Sequence, residues 1–396
     1  WPVFPAVIIG LGPLVRPDFA LYSALFAVGL LVSSRFRWWD WPLCLVVALA
    51  VPAAYQIWRM GFYAALVPNT ALAKDASQSH WEQGFIYLVD YAGLYVLALP
   101  VLAGALGIGL HLRAAWRLRS WARGAVVGAP VLGALLHALY VVRIGGDFMH
   151  ARFLLPDTFA LLMPVAVIGV TALRKQVALV VTALVAGWAV TVATSVRTPY
   201  GVNPSEDGIA NERAFYAERT ETGRLLTRHD WFATQQGRRG LLARWDSAAG
   251  WGYHDAGGLR TPSPDGRIYF DTQNLGIFSI AAGTDVMVID ELALSDAVTA
   301  RSILDPRLHE PDRVGHSPRP VAWRLARYSL VRPNEPVELT NARDALQCGN
   351  LLVLNNAITG ELPREKFWEN VRLAPRLTAF TFPADPTAAR RQLCGP

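Results

Sequence analysis

Charge is scarce in this sequence. Only 17% of its 396 residues are Asp, Glu, Lys or Arg, against roughly a quarter in an average globular domain. The shortage is local: residues 1–195 hold the long apolar runs, and residues 196–396 have the composition of an ordinary soluble domain. That excludes a single water-soluble body and points to a polytopic membrane half joined to a globular half. Cysteine is nearly absent too, with three residues and no C-x-x-C or His/Cys metal-ligand spacing, which excludes the common zinc and dithiol motifs. Cys44 falls in an apolar run and is expected to be inert packing. Cys348 and Cys394 permit one disulfide, provided their half faces an oxidising space. Basic residues interleaved with aromatics in a groove-like pattern are missing. Much of the net charge of +6 sits in short arginine clusters between apolar runs, so nucleic acid is not an expected partner. No repeat or low-complexity tract occurs. The first residue is Trp1 rather than Met, and the chain is expected to begin inside a longer protein.

The apolar runs divide into membrane spans. Residues 2–15 read as the end of a span that begins earlier, and residues 19–33, 41–58, 85–110, 125–142, 154–173 and 177–196 as six further crossings. Between them Arg35 and Arg37, then Arg113, Arg117, Arg119 and Arg123, then Arg174 and Lys175 all fall on one side if the crossings alternate. By the excess of Lys and Arg in cytoplasmic loops that side is inside. The opposite, periplasmic side of the plasma membrane then receives Arg16-Pro17-Asp18, the polar stretch 61–84, the loop around Asp147 and everything after residue 196. The expected domains are a membrane domain at 1–196 and an extracytoplasmic α+β or α/β domain at 197–396, a candidate carbohydrate binder. In the latter a helix is expected over 208–226 and strands at 267–270, 277–280, 286–289 and 351–354. Trp231, Trp245, Trp251 and Tyr253 are either core or platforms for sugar rings.

The richest polar stretch is Arg143-Ile144-Gly145-Gly146-Asp147-Phe148-Met149-His150-Ala151-Arg152-Phe153, between two apolar runs. Ionisable residues at a membrane edge are costly unless paired or wet, so such a cluster is a functional candidate; the plain alternative is a snorkelling, capping loop. Transfer of a sugar from a polyprenyl phosphate needs cations for the phosphodiester, and Arg143, Arg152, Arg16 and Lys74 suit that role. It also needs a carboxylate or imidazole beside the anomeric carbon, and Asp147, His150, Asp18 and Asp75 suit that one. Asn69 and Thr70 suit sugar hydroxyls. Each has a plainer alternative: Asp18 as a helix N-cap after Pro17, Lys74 and Asp75 as a solvated pair, Gly145 and Gly146 as a turn.

At these same residues the chain resembles a known family. Leu66-Val67-Pro68-Asn69-Thr70-Ala71-Leu72-Ala73-Lys74 and Gly145-Gly146-Asp147-Phe148-Met149-His150 with Arg152-Phe153 resemble the actinobacterial terminal arabinofuranosyltransferases of the AftB type. Arg16-Pro17-Asp18 is similar to the Arg-Pro-acidic turn of many GT-C membrane glycosyltransferases. Val288-Ile289-Asp290, Leu294-Ser295-Asp296 and Gly315-His316-Ser317-Pro318-Arg319-Pro320 extend the likeness into the second half. The resemblance implies a GT-C-like membrane domain and a decaprenyl-phosphoryl-arabinofuranose donor. It implies an arabinan acceptor in arabinogalactan and lipoarabinomannan, and a terminal β(1→2) linkage that keeps the donor's anomeric configuration. The sequence assigns no cofactor and leaves a divalent cation open. Enzymes of this class carry an acidic residue in the first outer loop. The chain is expected to begin downstream of it, in which case Asp18 and Asp147 have binding rather than reacting roles. A lipid-sugar transporter or a non-catalytic sugar-binding membrane protein is the alternative from another class. A transporter would place its ionisable residues near the bilayer midplane, in broken helices.

Overall fold

The computed structural model describes residues 3–34, 39–74, 78–163, 175–201, 203–219, 230, 238, 253–254, 260–261, 268–272, 275–284, 286–305, 315–329, 331 and 333–395. They form two compact units. One comprises Trp1–Gln56, Gln78–Tyr200 and Ser205–Ile209, the other Ile57–Ser77, Gly201–Pro204 and Ala210–Pro396.

The first unit is helical: α1 (Val3–Gly10), α2 (Gly12–Val15), a 3-10 turn at Pro17–Phe19, α3 (Ala20–Ser33) and α4 (Asp40–Tyr63), whose last turns belong to the second unit. The helix α5 (Asn69–Ala73) also lies in that second unit. The first unit continues with α6 (Trp81–Leu94), α7 (Ala98–Arg117), α8 (Trp121–Arg143), α9 (Leu155–Leu162) and α10 (Lys175–Ser195). Three helices, Asp40–Tyr63, Ala98–Arg117 and Trp121–Arg143, are long and apolar enough to cross a membrane. Their apolar side chains cover them without long runs of buried surface, so water is not the solvent they suit. The protein is a membrane protein on these grounds. Small residues let α3 and α8 approach closely: a Cβ on Gly29 would stand 3.2 Å from Ala129 Cβ, and one on Gly133 would meet the Tyr22 ring at 2.7 Å. Close backbone approach through small residues is how helices associate where no water drives them together.

The expected single crossing over 85–110 is two helices. α6 stops at Leu94, Val96 takes a left-handed φ of 49°, and two capping bonds close the end: Val96 N–H donates to Gly93 O at 3.1 Å and Leu97 N–H to Ala92 O at 2.9 Å. That pair of bonds is the Schellman helix stop, here without its usual glycine. Nothing in an apolar run of this composition announces such a break. The plainer alternative for Asp18, a helix cap, is not observed, since no side chain caps the 3-10 turn or α3.

The second unit carries a small mixed sheet. After α11 (Glu212–Arg219) come β1 (Tyr253–His254), β2 (Arg260–Thr261), β3 (Ile268–Thr272), α12 (Leu275–Ala282) and β4 (Val286–Asp290). The strand order is β2-β1-β3-β4, with β2 antiparallel to β1 and the other pairs parallel. β3 pairs with β4 from Ile268 opposite Val286 to Thr272 opposite Asp290, and α12 makes the crossover that parallel neighbours require. Then come α13 (Val321–Tyr328), α14 (Val337–Ala345), α15 (Gly349–Ile358), α16 (Arg364–Ala379) and α17 (Pro386–Cys394). Two expected strands are therefore helices. Residues 277–280 lie in α12, where Phe278 and Ala282, four apart, pack with Val286. Residues 351–354 lie in α15, where Leu351 and Leu354 are both wholly buried. Four apolar residues in a row carry no period of their own, and the neighbouring turns of helix decide the matter. The expected helix over 208–226 is described from Glu212 to Arg219; residues 220–226 lie outside the described residues. Trp231, Trp245 and Trp251 lie outside them too, and Tyr253 enters only as a backbone position of β1. Trp323, Leu339, Ala342, Leu351, Leu354, Leu377 and Phe382 form the main core. Cys348 and Cys394 are joined by a disulfide, their Cα atoms 5.2 Å apart.

Candidate active site

In the first unit Arg16 leaves α2 in extended conformation and the 3-10 turn brings Asp18 back beneath it. The Arg16 guanidinium donates to both Asp18 oxygens, its Nε at 3.1 Å. Asp18 Oδ2 also faces His137 Nε2 at 3.0 Å, and His137 Nδ1 faces Asp157 Oδ1 at 2.8 Å. Tyr22 donates its hydroxyl to the same Asp157 oxygen. The chain Arg16–Asp18–His137–Asp157–Tyr22 thus joins α3, α8, α9 and the 3-10 turn. His137 is wholly buried, with the Phe19 and Tyr22 rings 5.7 and 5.4 Å away. Both ring nitrogens face carboxylate oxygens, an arrangement satisfied by a ring with N–H on both.

The loop after α8 is built on a second Schellman stop. Gly145 N–H donates to Val142 O at 3.2 Å and Gly146 N–H to Val141 O at 2.9 Å, with both glycines at positive φ, 87° and 74°. Inside the loop sits Tyr87, wholly buried. Its hydroxyl donates to Met149 O at 2.9 Å and accepts from Phe153 N–H at 3.1 Å. Asp147 is held inside, and Arg152, two-fifths exposed, reaches its Oδ2 at 2.6 Å. The Arg152 guanidinium carbon lies 5.1 Å from the centre of the Phe153 ring and that of Arg16 4.3 Å from the same ring. Two guanidiniums, each with its own carboxylate, therefore share one aromatic ring.

Gly146 is where this loop is most vulnerable. A Cβ there would stand 2.4 Å from the Tyr87 ring, on backbone that disfavours any L side chain. Gly146→Ala is expected to destabilise the protein by about 2–4 kcal/mol from clash and strain together. A thermal melt of the purified protein in detergent checks it; an unchanged midpoint would mean that the loop is not held this way.

His150 belongs to a neighbouring cluster. Its Nδ1 faces Asp90 Oδ2 at 2.5 Å and its Nε2 the Tyr95 hydroxyl at 3.1 Å. Tyr200 donates to Asp90 at 3.1 Å and lies 2.8 Å from His150 Nδ1. Burial first, then the Asp90 charge, pushes the Tyr200 phenol far above its usual range, so it stays a neutral donor. Arg143 is the last residue of α8, and its carbonyl accepts from His80 N–H at 2.8 Å.

Asn69 and Lys74 lie in the second unit. α5 packs Ala73 against Ala293 and Ala300, Arg319 donates to Ala73 O at 2.8 Å, and the Lys74 stem fills the space beside Gly315, where a Cβ would meet it at 2.4 Å. Three stretches that carried the family likeness, 66–74, 288–296 and 315–320, thus pack on one another. Asp75 lies outside the described residues. Asp290 organises the same region: its carboxylate accepts from the N–H groups of Leu292, Leu294 and Ser295. Burial outweighs those bonds, with the Asp296 charge adding to it, and lifts the Asp290 carboxyl to about 6. Its folded-state value lies above the unfolded one, so it contributes stability that is full below about pH 4 and lost as pH rises through 6. Asp290→Asn is expected to remove about 1 kcal/mol of that pH dependence between pH 5 and pH 7, read as the difference between wild-type and variant melting curves at those two values. Parallel curves would show that Asp290 titrates normally. Among the described residues no group of three or more His, Cys, Asp or Glu could hold a metal ion.

Four of the expected residues, Arg16, Asp18, Asp147 and Arg152, are brought together. Tyr22, Asp90, His137, Asp157 and Tyr200 complete the two clusters and were not expected. The signal was present for three of them: apart from tyrosines, His137, Asp90 and Asp157 are each the one ionisable residue of an apolar run, and an ionisable residue inside a span is a functional candidate.

Apolar helices long enough to cross a membrane, with paired arginines and carboxylates gathered beside them, define an integral-membrane protein with a candidate polar site. Comparison with known proteins narrows that class. Residues 256–391 match the AftB family C-terminal domain. The chain is 31% identical to the terminal β-(1→2)-arabinofuranosyltransferase of Mycobacterium tuberculosis, an alignment that covers 95% of this chain and 68% of that protein. It is 32% identical to the protein of the same name from Corynebacterium glutamicum, over 92% of this chain and 58% of the relative. No solved structure matches it. The chain belongs to the terminal β-(1→2)-arabinofuranosyltransferase family.

Proposed function

We propose that the protein transfers arabinofuranose from decaprenyl-phosphoryl-arabinofuranose to the non-reducing ends of cell-wall arabinan, in arabinogalactan and lipoarabinomannan, making the terminal β(1→2) linkage. It does so at the periplasmic face of the plasma membrane, where the second unit, an extracytoplasmic domain, also stands. The observation that carries this is the pair of arginines against Phe153, each with a carboxylate partner, in a chain of this family. Arg16 and Arg152 hold the phosphodiester, since guanidinium matches two phosphate oxygens at once and never loses its charge. The C1–O bond to phosphate breaks, the polyprenyl phosphate leaves with the electron pair, and an acceptor hydroxyl forms the new bond at C1 while its proton passes to the departing phosphate. Positive charge builds on C1 and the ring oxygen as it does so. Asp18 is partly exposed, whereas the carboxylate of Asp147 has no exposed surface. Asp18 therefore faces the sugar, and Asp147 positions Arg152. His137, Asp157 and Tyr22 position Asp18, and His150 with Asp90 fixes the loop from the other side. Arg143, at the end of the same helix as His137, is assigned to the surrounding binding surface.

The test is a transfer assay with purified protein in nanodiscs, a synthetic polyprenyl-phosphoryl-arabinofuranose and a short arabinan, with the product linkage read by NMR. A β(1→2)-linked arabinofuranose on the acceptor is expected. Donor crossing the bilayer with no covalent product would support the transporter instead, and donor binding with neither outcome would leave a sugar-binding protein.

A further inference from the structure

The helix α16 leaves one face to solvent that its neighbours do not explain. Its buried face is Asn370, Ala374 and Leu377, packed into the second unit. Its exposed residues are Arg364, Glu365, Trp368, Glu369, Arg372, Pro375, Arg376 and Ala379. Arg364, Trp368, Arg372 and Arg376 succeed one another at steps of four, which on a helix places them along one stripe. Trp368 is 45% exposed with an arginine one turn to either side. The place of this helix is fixed by the end of α4. Asn370 donates to Gly61 O at 2.9 Å, the Phe367 ring fills the space a Cβ on Gly61 would need, and Leu66 N–H donates to the Thr378 hydroxyl at 2.8 Å. α4 is long and apolar enough to cross a membrane. Its last turns carry Trp58, Phe62 and Tyr63, all exposed, with the Trp58 and Phe62 rings stacked at 5.1 Å. Such a cluster at the end of a span is an interfacial aromatic belt. Both halves of α16 are thus tied to residues 61–66, at the end of a helix long and apolar enough to cross a membrane.

We infer that α16 lies in the headgroup layer, with Trp368 at the interface and Arg364, Arg372 and Arg376 on anionic phospholipid. The tryptophan ring, with one apolar and one wet side, suits that layer. The arginines suit lipid phosphates, and each basic residue at an anionic surface raises occupancy about fivefold. The second unit would then be a surface-anchored body and not one joined to the membrane by its chain connections alone. This rests on the membrane span and not on the glycosyl-transfer assignment.

The test uses the full chain with Cys44→Ala, a nitroxide on Ala379→Cys, and the same label on Thr340→Cys, an exposed site on α14, as reference. The protein is placed in nanodiscs of phosphatidylcholine, alone or mixed with phosphatidylglycerol. Collisions with lipid-soluble oxygen and with a water-soluble nickel chelate are then compared. The label at 379 is expected to favour oxygen several-fold over the label at 340, more so with phosphatidylglycerol. Arg364→Gln with Arg372→Gln should remove the phosphatidylglycerol dependence, and Trp368→Ala should shift the label towards water. Equal aqueous exposure at 379 and 340 in both lipids would overturn the inference. So would a label at 379 shielded from oxygen and nickel alike, which would mean that protein covers the face. Because no reading depends on turnover, an inactive preparation leaves the result intact.

Discussion

Asp18→Asn is expected to lower arabinofuranosyl transfer at saturating donor by about a thousandfold, with the KM for donor changed far less and the fold retained. Asparagine has nearly the shape of aspartate and keeps one oxygen for Arg16 or His137, so the turn at Pro17–Phe19 still has an acceptor. On the proposed assignment, what it removes is the negative charge beside the carbon on which positive charge develops. Charge stabilisation that matters only in the transition state appears in kcat and not in KM. The matching substitution one loop away should behave differently. Asp147 is enclosed, and its partner Arg152 is the exposed member of the pair. Asp147→Asn should therefore leave Arg152 less well aimed and raise the KM for donor by about tenfold or more, with a smaller fall in kcat. Steady-state kinetics on both variants, with melting curves to show that they fold, decide the assignment. If Asp147→Asn takes the kcat loss and Asp18→Asn the KM loss, the two carboxylates have been given each other's roles.

Much of this protein was legible from composition. Long apolar runs concentrate in residues 1–195, and three helices there are long and apolar enough to span. The polar loop at 143–153 stood out because it concentrated charge where charge is costly, and both it and the Arg16 turn contribute to one cluster. Short-range ambiguity hid the rest. The break at Val96 depends on a left-handed residue that is not glycine, so no local rule marks it. The strands expected at 277–280 and 351–354 are helices because four apolar residues fit either period. His137, Asp90 and Asp157 are less conspicuous than the charged loops beside them. Yet a single ionisable side chain inside an apolar run carries more information than several at its edge, since only a partner on another helix explains its presence there. Such a partner is brought close by tertiary packing, and sequence spacing does not reveal it: Asp18 and His137 are 119 residues apart.

That long-range bond is the basis of the second large effect. His137→Leu is expected to destabilise the protein by about 3–5 kcal/mol, because Asp157, only 3% exposed, loses the ring nitrogen that faces it and is left with the Tyr22 hydroxyl. A buried carboxylate deprived of its partner is far costlier than an apolar pair of the same volume, so the double variant His137→Leu, Asp157→Leu should recover most of the lost stability. Activity should not recover with it. Asp18 would still lack the ring that fixes its orientation against Arg16, and kcat should stay about a hundredfold low with the donor KM little changed. His137→Gln, which keeps one donor, should fall between wild type and His137→Leu in both readouts. Thermal melts and single-turnover transfer on the four proteins separate the two contributions of this histidine. If the double variant regains transfer together with its stability, His137 only fills the core, and the orientation of Asp18 is secured by Arg16 alone.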